Sequence, residues 1–358
     1  MYGLVQLSLS LPLSESRFVI KHQNLCQYRK VRKSVCSDKT SSEICYILEN
    51  SAAGTMKAVR VHTFGGPEVL KLEHDVPIPI PSETQALIRV GAAGVNPVDT
   101  YIRMGLFAQL PILPYIPGRD GSGTVEKIGS EVTTLKVGDR VFFSGATGSY
   151  AEYVTCESHS VYHLPDRLTF AQGAALGVPY FTAYRAIFIK GKAKPGDRIL
   201  VHGASGAVGL AACQLAKAHG LIVVGTAGSP QGLELVKKNG AHWVFNHKEK
   251  GYLEEAAKAA GGEGFDIIIE NASDINLDLF RSTPDEWVQT AAAVVSGLDV
   301  GFLTPFVDKE YAMEGVQEAH ANVLSHEGGS RGKLVLPKLL VCNDPIPYKL
   351  SKCCGFSC

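Results

Sequence analysis

Residues 198–216, RILVHGASGAVGLAACQLA, pass from a short apolar run through three closely spaced glycines into a run of helix formers. Ile199-Leu200-Val201 has the length and composition of a strand covered on both faces, and LAACQLAKA continues as a helix. Gly203, Gly206 and Gly209 fall at the turn between them. Glycine there lets the chain bend sharply, lets backbone approach a ligand with no Cβ in the way, and lets the helix pack close to the strand. The first helical turn then presents N–H groups with no intrahelical acceptor, a seat for an anion. The G-x-x-G-x-x-G spacing differs from G-x-G-x-x-G, so its weight comes from its place between strand and helix, which points to the pyrophosphate of a dinucleotide. A glycine turn holding no ligand is the plainer alternative.

A second strand, LIVVGTAGS, runs from Leu221 to Ser229. Sites that select NAD place an Asp or Glu there, about 20 residues after the glycines, on the ribose 2′-hydroxyl. Residues 221–233 contain no acid. A 2′-phosphate would be repelled by a carboxylate and can accept hydrogen bonds from Ser229, Thr226 or backbone, so the expected cofactor is NADPH.

With 358 residues, 45% of them hydrophobic, the chain can bury two modest cores. Lysine plus arginine equals aspartate plus glutamate at 35 each, which favours neither nucleic acid nor an anionic membrane as partner. No apolar run is long enough to span a bilayer, and LVQLSLSLPL near Met1 lacks the basic segment of a secretory signal. Of the nine cysteines, only Cys156 and Cys213 lie between residues 55 and 338, so the globular middle needs no disulfides and a cytoplasmic setting is expected. No pair has C-x-x-C spacing, and no metal is expected. Cys213, on the helix after the glycines, reads as a small buried apolar residue.

Residues 1–55 show no sustained period and read as a disordered extension; the basic cluster QYRKVRK within it reads as a solvated stretch. From Met56 short strands follow with turn punctuation, beginning with KAVRV: KAVRVHTFGGPEVLKLEHD, QALIRVGAAGVNP, GTVEKIG and GDRVFF. Strands then recur at βα spacing over 198–202, 221–226, 242–246 and 266–270. Next comes TPDEWVQTAAAVVSG, a helix with Thr283 and Glu286 as a capping box and Pro284 at its first position. The expected divisions are 56–178, a β-rich domain; 179–302, a dinucleotide-binding domain; 303–337, a segment returning to the first domain; and 338–358, an atypical tail.

The strings GVNPVDTYIR (94–103), LPYIPGRDGSG (113–123), GVPYFTAYRA (177–186) and HGASGAVG (202–209) closely resemble the NADPH:quinone reductases, or zeta-crystallins, of the zinc-free branch of the medium-chain dehydrogenase/reductase family. The match runs from Met56 to about Asn276 and resumes from about Phe280 to Leu336. The resemblance implies an α/β fold: a GroES-like β-rich catalytic domain plus a Rossmann-type doubly wound parallel sheet. It implies Asn96 where zinc-dependent relatives have a ligating cysteine. It places Tyr101 against the nicotinamide, with Tyr101 and Asn96 orienting or polarising a quinone carbonyl. Ser205, Gly206, Ala207 and Val208 would hold the pyrophosphate with Gly203 and Gly209, and Gly228, Ser229, His247 and Asn276 would contact the cofactor. A homodimer or homotetramer is implied as well.

Relative to that family, the chain passes from ASDINLDL straight to FRSTPDEW, omitting several tens of residues that normally supply a helix and two strands. The Rossmann-type sheet is therefore expected to lack its last two strands, leaving DIIIE as an edge without the strand the family uses for dimer pairing. Two other readings follow: an NADPH-dependent 2-enoyl or alkenal reductase, because a tyrosine near the nicotinamide also suits enolate protonation, and a non-catalytic NADPH-binding or crystallin-like isoform with RNA binding.

Overall fold

The computed structural model describes residues 54–262, 264–271, 282–325 and 331–337. The expected extension before residue 54, the tail after 337 and Asn276 lie outside the described residues.

The N-terminal half is built from antiparallel strands. β1 (Thr55–Val61) pairs with β2 (Leu70–Pro77), so the first strand begins slightly ahead of Met56. The centre of the larger sheet is β3 (Gln85–Val95). One edge of β3 pairs with β4 (Asp120–Ile128). Its other edge is shared: residues 85–89 pair with β6 (Tyr153–Glu157) and residues 92–95 with the last described strand, β13 (Lys333–Pro337). β5 (Arg140–Ser144) and β7 (Val161–His163) extend the sheet beyond β4. β12 (Val307–Glu310) extends it beyond β13. After β3, Asn96 caps the short helix α1 (Pro97–Arg103) through a capping box with Asp99, and Pro97 supplies the pre-set φ of a first helical residue.

Two further helices, α2 (Phe170–Gly173) and α3 (Gly177–Tyr184), lead into the parallel sheet. β8 (Arg198–His202), β9 (Ile222–Ala227), β10 (Trp243–Asn246) and β11 (Ile267–Glu270) alternate with α4 (Ala207–Ala218), α5 (Pro230–Lys238) and α6 (Tyr252–Ala259). Their order is β10-β9-β8-β11, all parallel. This is a doubly wound sheet, and the burial of single residues shows why. Ile199, Val201 and Val223 pack into the core shared with α3 and α4, whereas Leu200 and Val224 pack on Ala256 of α6 and on Ala260, its C-cap. Successive side chains leave opposite faces of a strand, so the continuous apolar run of β8 is used on both sides.

Among the described residues β11 ends this sheet. Ile267 and Ile269 reach the main core, but Ile268 on the opposite face is 58% exposed. The next described helix, α7 (Pro284–Val300), starts at the expected capping box, with Thr283 Oγ1 accepting from Glu286 N. Its Trp287 ring lies 5.0 Å from Phe181, and its indole N–H donates to Tyr162 Oη at 2.8 Å. α8 (Val316–Ser325) then precedes β13.

The two cores meet across β5, where Phe142 joins the core of the parallel sheet and its neighbour Phe143 the core of the antiparallel one. Phe181 is fully buried between Tyr162 and Trp287. Phe181→Ala is expected to cost about 3–5 kcal/mol through lost burial and the cavity left behind, read as a lower midpoint in urea unfolding.

Candidate functional site

The glycine turn is held by its neighbours before any ligand arrives. Gly203 leaves β8 at φ +61, a left-handed conformation that L side chains rarely adopt. A Cβ on Gly209 would stand 2.5 Å from Ala204 Cα, so the close seating of α4 on the turn requires glycine. Gly206 is the N-cap of α4 and brings no side-chain cap, which leaves the N–H groups of its first turn, from Ala207 and Val208 onward, facing outward. Ala204 N donates to Thr226 O at 2.8 Å, tying the turn to β9. From the far end of the chain, Gly332 N donates to Ser205 O at 2.8 Å.

Around this turn stands a polar fringe. Thr226 Oγ1 lies 3.4 Å from Gly203 N, 3.4 Å from His202 Nδ1 and 3.3 Å from His247 Nδ1. Burial, with the neighbouring His202 and Lys248, holds the His247 imidazole below its ordinary pKa, so it stays neutral near pH 7. Thr226 is fully buried inside this cluster, which corrects its expected place as a direct phosphate donor. Ser229 caps α5, its Oγ accepting from Gly232 N at 3.2 Å, which leaves its O–H to donate elsewhere. A Cβ on Gly228 would meet His247 Nε2 at 2.8 Å and Lys248 Cε at 2.9 Å. Sequence reading passed over Lys248. Its ammonium stem lies at the end of the acid-free second strand, and the adjacency arises from the parallel register of β9 with β10, through Ala227 opposite Asn246.

A helix N-terminus with no side-chain cap, bare glycine backbone, and a lysine beside the acid-free strand fit a dinucleotide carrying a 2′-phosphate. Among the described residues no group of three or more His, Cys, Asp or Glu side chains is placed to hold a metal ion. Cys213 is fully buried, and burial pushes its thiol up to about 12.

The second part of the site is a buried polar box beneath α1. Lys333 Nζ donates to Asn96 Oδ1 and to Asp120 Oδ2, the latter at 3.1 Å. Asp120 Oδ2 also accepts from Val178 N at 2.9 Å. Asn96 Nδ2 donates to Asp120 Oδ1 at 2.8 Å and to Asp99 Oδ2 at 3.3 Å. Both amide hydrogens of Asn96 are thus committed inside the protein, and the residue is 2% exposed. It cannot also polarise a carbonyl by donation, which corrects its expected catalytic role: Asn96 positions its neighbours. Tyr101 sits on the same helix, half-buried, and is not among the residues lining the cavity described next.

A cavity of about 170 Å³ opens beside the box. Asp99, Ile102 and Tyr115 form its buried part, Gln109 and Thr147 its exposed rim, and Arg119 also lines it. The Tyr115 hydroxyl is buried with no hydrogen-bond partner among the described residues, and burial raises its pKa further above neutrality, so it remains an O–H donor. Removing one partner of a buried ion pair strands the other charge. Lys333→Met should therefore cost about 3–5 kcal/mol at neutral pH, measured by denaturant unfolding.

Residues 82–166 match the alcohol dehydrogenase GroES-like domain, and residues 207–280 match the zinc-binding dehydrogenase family. Quinone oxidoreductases of Pongo abelii and Homo sapiens are each 46% identical over 321 residues, covering 78% of this chain and 97% of theirs. Because 78% of 358 residues is about 279, about 40 of those 321 aligned positions have no counterpart here. The crystal structure of Escherichia coli quinone oxidoreductase complexed with NADPH superposes with a TM-score of 0.66 at 27% identity, over 78% of this chain and 99% of that one. The chain belongs to the quinone oxidoreductase (zeta-crystallin) family of medium-chain dehydrogenases/reductases.

Proposed function

We propose that this chain reduces quinones at the expense of NADPH, and the observation that carries the reading is the uncapped glycine turn next to an acid-free second strand with Lys248 at its end. Backbone at Gly203, Ser205, Gly206, Ala207, Val208 and Gly209 holds the pyrophosphate. Gly228, Ser229, His247 and Lys248 face the adenosine end, where a phosphate finds a cation and an O–H donor but no carboxylate. Tyr101 takes the cofactor contact that the family resemblance gives it. Bound NADPH supplies the reducing equivalent; the protein's part is to hold the acceptor, exclude water and manage one proton.

The cavity beside Asp99 is the acceptor pocket in this reading. Its volume sets the scale of the substrate, since an apolar cavity of about 150 Å³ takes a benzene ring. A single-ring quinone fits within it, and larger acceptors extend past the Gln109 and Thr147 rim. The Tyr115 hydroxyl has a free hydrogen bond to give to a quinone oxygen.

The domain limits 56–178, 179–302 and 303–337 belong to the same proposal. So does the assignment of the missing stretch of about 40 residues to the interval between β11 and α7. The homo-oligomeric state implied by the resemblance and the cytoplasmic setting expected from the cysteine distribution are checked by native mass measurement and cell fractionation.

Thermal unfolding with NADPH, and separately with NADH, tests cofactor choice. A ligand at 100 times its Kd stabilises the native state by about 2.7 kcal/mol, so NADPH should raise Tm clearly and NADH less. Gly209→Ala should abolish the shift, because the added methyl drives α4 off the turn. In the same preparation NADPH fluorescence should fall on adding a quinone and not on adding an enal; binding without oxidation by any quinone sinks the reductase reading.

A further inference from the structure

Between α1 and β4 the chain runs from Met104 to Gly118 without a charged residue, although 20% of the whole sequence is charged. Its large apolar side chains divide into two sets. Phe107 and Leu113 turn inward onto the core of the antiparallel sheet, as does Tyr115. Leu106, Leu110 and Ile112 turn outward and are 72%, 43% and 92% exposed. A single exposed leucine is ordinary on a protein surface. Three such side chains between positions 106 and 112, in a stretch with no charge, mark a binding surface.

The segment is held at both ends. Leu106 N donates to Tyr101 O at 2.9 Å, and Tyr115 exchanges two backbone hydrogen bonds with Val61, at 2.9 and 3.1 Å. The outward side chains are thus presented by an anchored backbone, which lowers the ordering cost of binding.

Its position gives this surface an occupant. Leu110 and Pro111 line the cavity beside Asp99, together with Gln109, and Ile112 follows Pro111 directly. The apolar collar is therefore continuous with the cavity mouth. Arg103, which flanks the segment, is 1% exposed and brings no charge to this side of the mouth. A cavity of about 170 Å³ has room for one ring. Whatever else an acceptor carries must lie along the mouth, where it meets hydrocarbon with the exposed Gln109 beside it.

We propose that the acceptor of this site is a single-ring quinone bearing a hydrocarbon chain, the ring seated in the cavity and the chain laid over Leu106, Leu110 and Ile112. The proposal rests on the quinone-reductase reading above and names the part of the acceptor that lies outside the ring. A chain seated this way leaves water without burying a charged group of the protein. Each fully covered CH2 strengthens binding about fourfold, and each half-covered one about twofold. The collar touches none of the reacting atoms, so the gain is the same in ground state and transition state: KM falls, kcat/KM rises and kcat stays constant.

The test is a series of 1,4-benzoquinones carrying one methyl, propyl, pentyl or heptyl chain, each below its critical micelle concentration, with NADPH saturating and the full-length protein. Between methyl and pentyl, wild-type kcat/KM should rise about tenfold. In the double variant Leu106→Ser/Ile112→Ser the rise should shrink to about threefold or less. Both side chains already face solvent, so its Tm should stay within about 3 °C of wild type. The readout is a ratio within each protein, which a general loss of activity does not imitate. Val137→Ser is the control. Val137 is 64% exposed in the turn past the far end of β4, and its variant should keep the wild-type dependence on chain length.

A kcat/KM independent of chain length, or a rise that the double variant retains in full, overturns the chain site, while turnover of the methyl quinone leaves the reductase reading intact. If chain length has no effect and wild type sediments with phosphatidylcholine vesicles while the double variant does not, the collar meets a lipid surface and the proposal falls. If chain length has no effect and the double variant alone loses the wild-type native mass, the collar meets a second copy of the chain, and it falls equally. Oxidation of NADPH by no member of the series removes the reductase reading, and the chain site with it.

Discussion

The Lys333 ammonium, buried with the Asp120 carboxylate and the Asn96 amide, is the interaction on which the site depends. It joins partners 213 and 237 residues away in the chain. Through Asp120 Oδ2 it reaches the N-terminal end of α3, and through Asn96 it reaches Asp99 and α1. The residue before it, Gly332, donates its N–H to Ser205 of the glycine turn. Two consecutive residues therefore fix the cavity wall at Asp99 and one side of the glycine turn. A buried ion pair recovers its desolvation cost only when its remaining hydrogen-bonding capacity is also met, and here the Asn96 amide and the Val178 backbone N–H contribute to it.

What the sequence made legible was local. The β8–turn–α4 unit rests on a continuous apolar run and glycines whose spacing has a direct geometric meaning, and the structure places Gly203, Gly206 and Gly209 at the turn expected of them. The start of α7 was equally readable, because Thr283, Pro284 and Glu286 form a capping box without help from the rest of the fold. The strands of the parallel sheet fall within a residue or two of their expected limits, the uncertainty natural to element ends. The role of Asn96 was misread for a physical reason. An Asn-Pro where relatives keep a ligating cysteine looks like part of the chemistry, and nothing near it in sequence shows that Lys333 will consume its carbonyl. Asp99 lies inside the string GVNPVDTYIR, but its burial beside Asp120 arises only when β4 packs beneath α1. Lys248 was equally silent, as only the pairing of β9 with β10 brings its stem against Gly228.

The same division between local and distant information explains the sheet edge at β11. Its alternation is visible in DIIIE, with Ile267 and Ile269 turned to the core and Ile268 turned away. What covers a strand's second face depends on elements that follow it. α6 covers Leu200 and Val224 on that face but leaves Ile268 exposed.

The glycine turn does not depend on the exposed face of β11. It is bounded by β8, by Thr226 of β9, by α4 through the Gly209–Ala204 contact, and by Gly332 ahead of β13, and none of these lies beyond β11 in the sheet order. The core behind it is closed by α7, whose Trp287 packs on Phe181 and whose Glu286 pairs with Arg185 at 3.1 Å. Gln214 of α4 adds a second tie, accepting from Tyr180 Oη and from Thr304 N at 2.9 Å each. Elements on both chain sides of the interval between β11 and α7 therefore buttress the turn directly. The geometry of the glycine turn is a property of this inner frame, and a change in the chain between β11 and α7 acts first on the exposed face of β11 and only afterwards on the glycines.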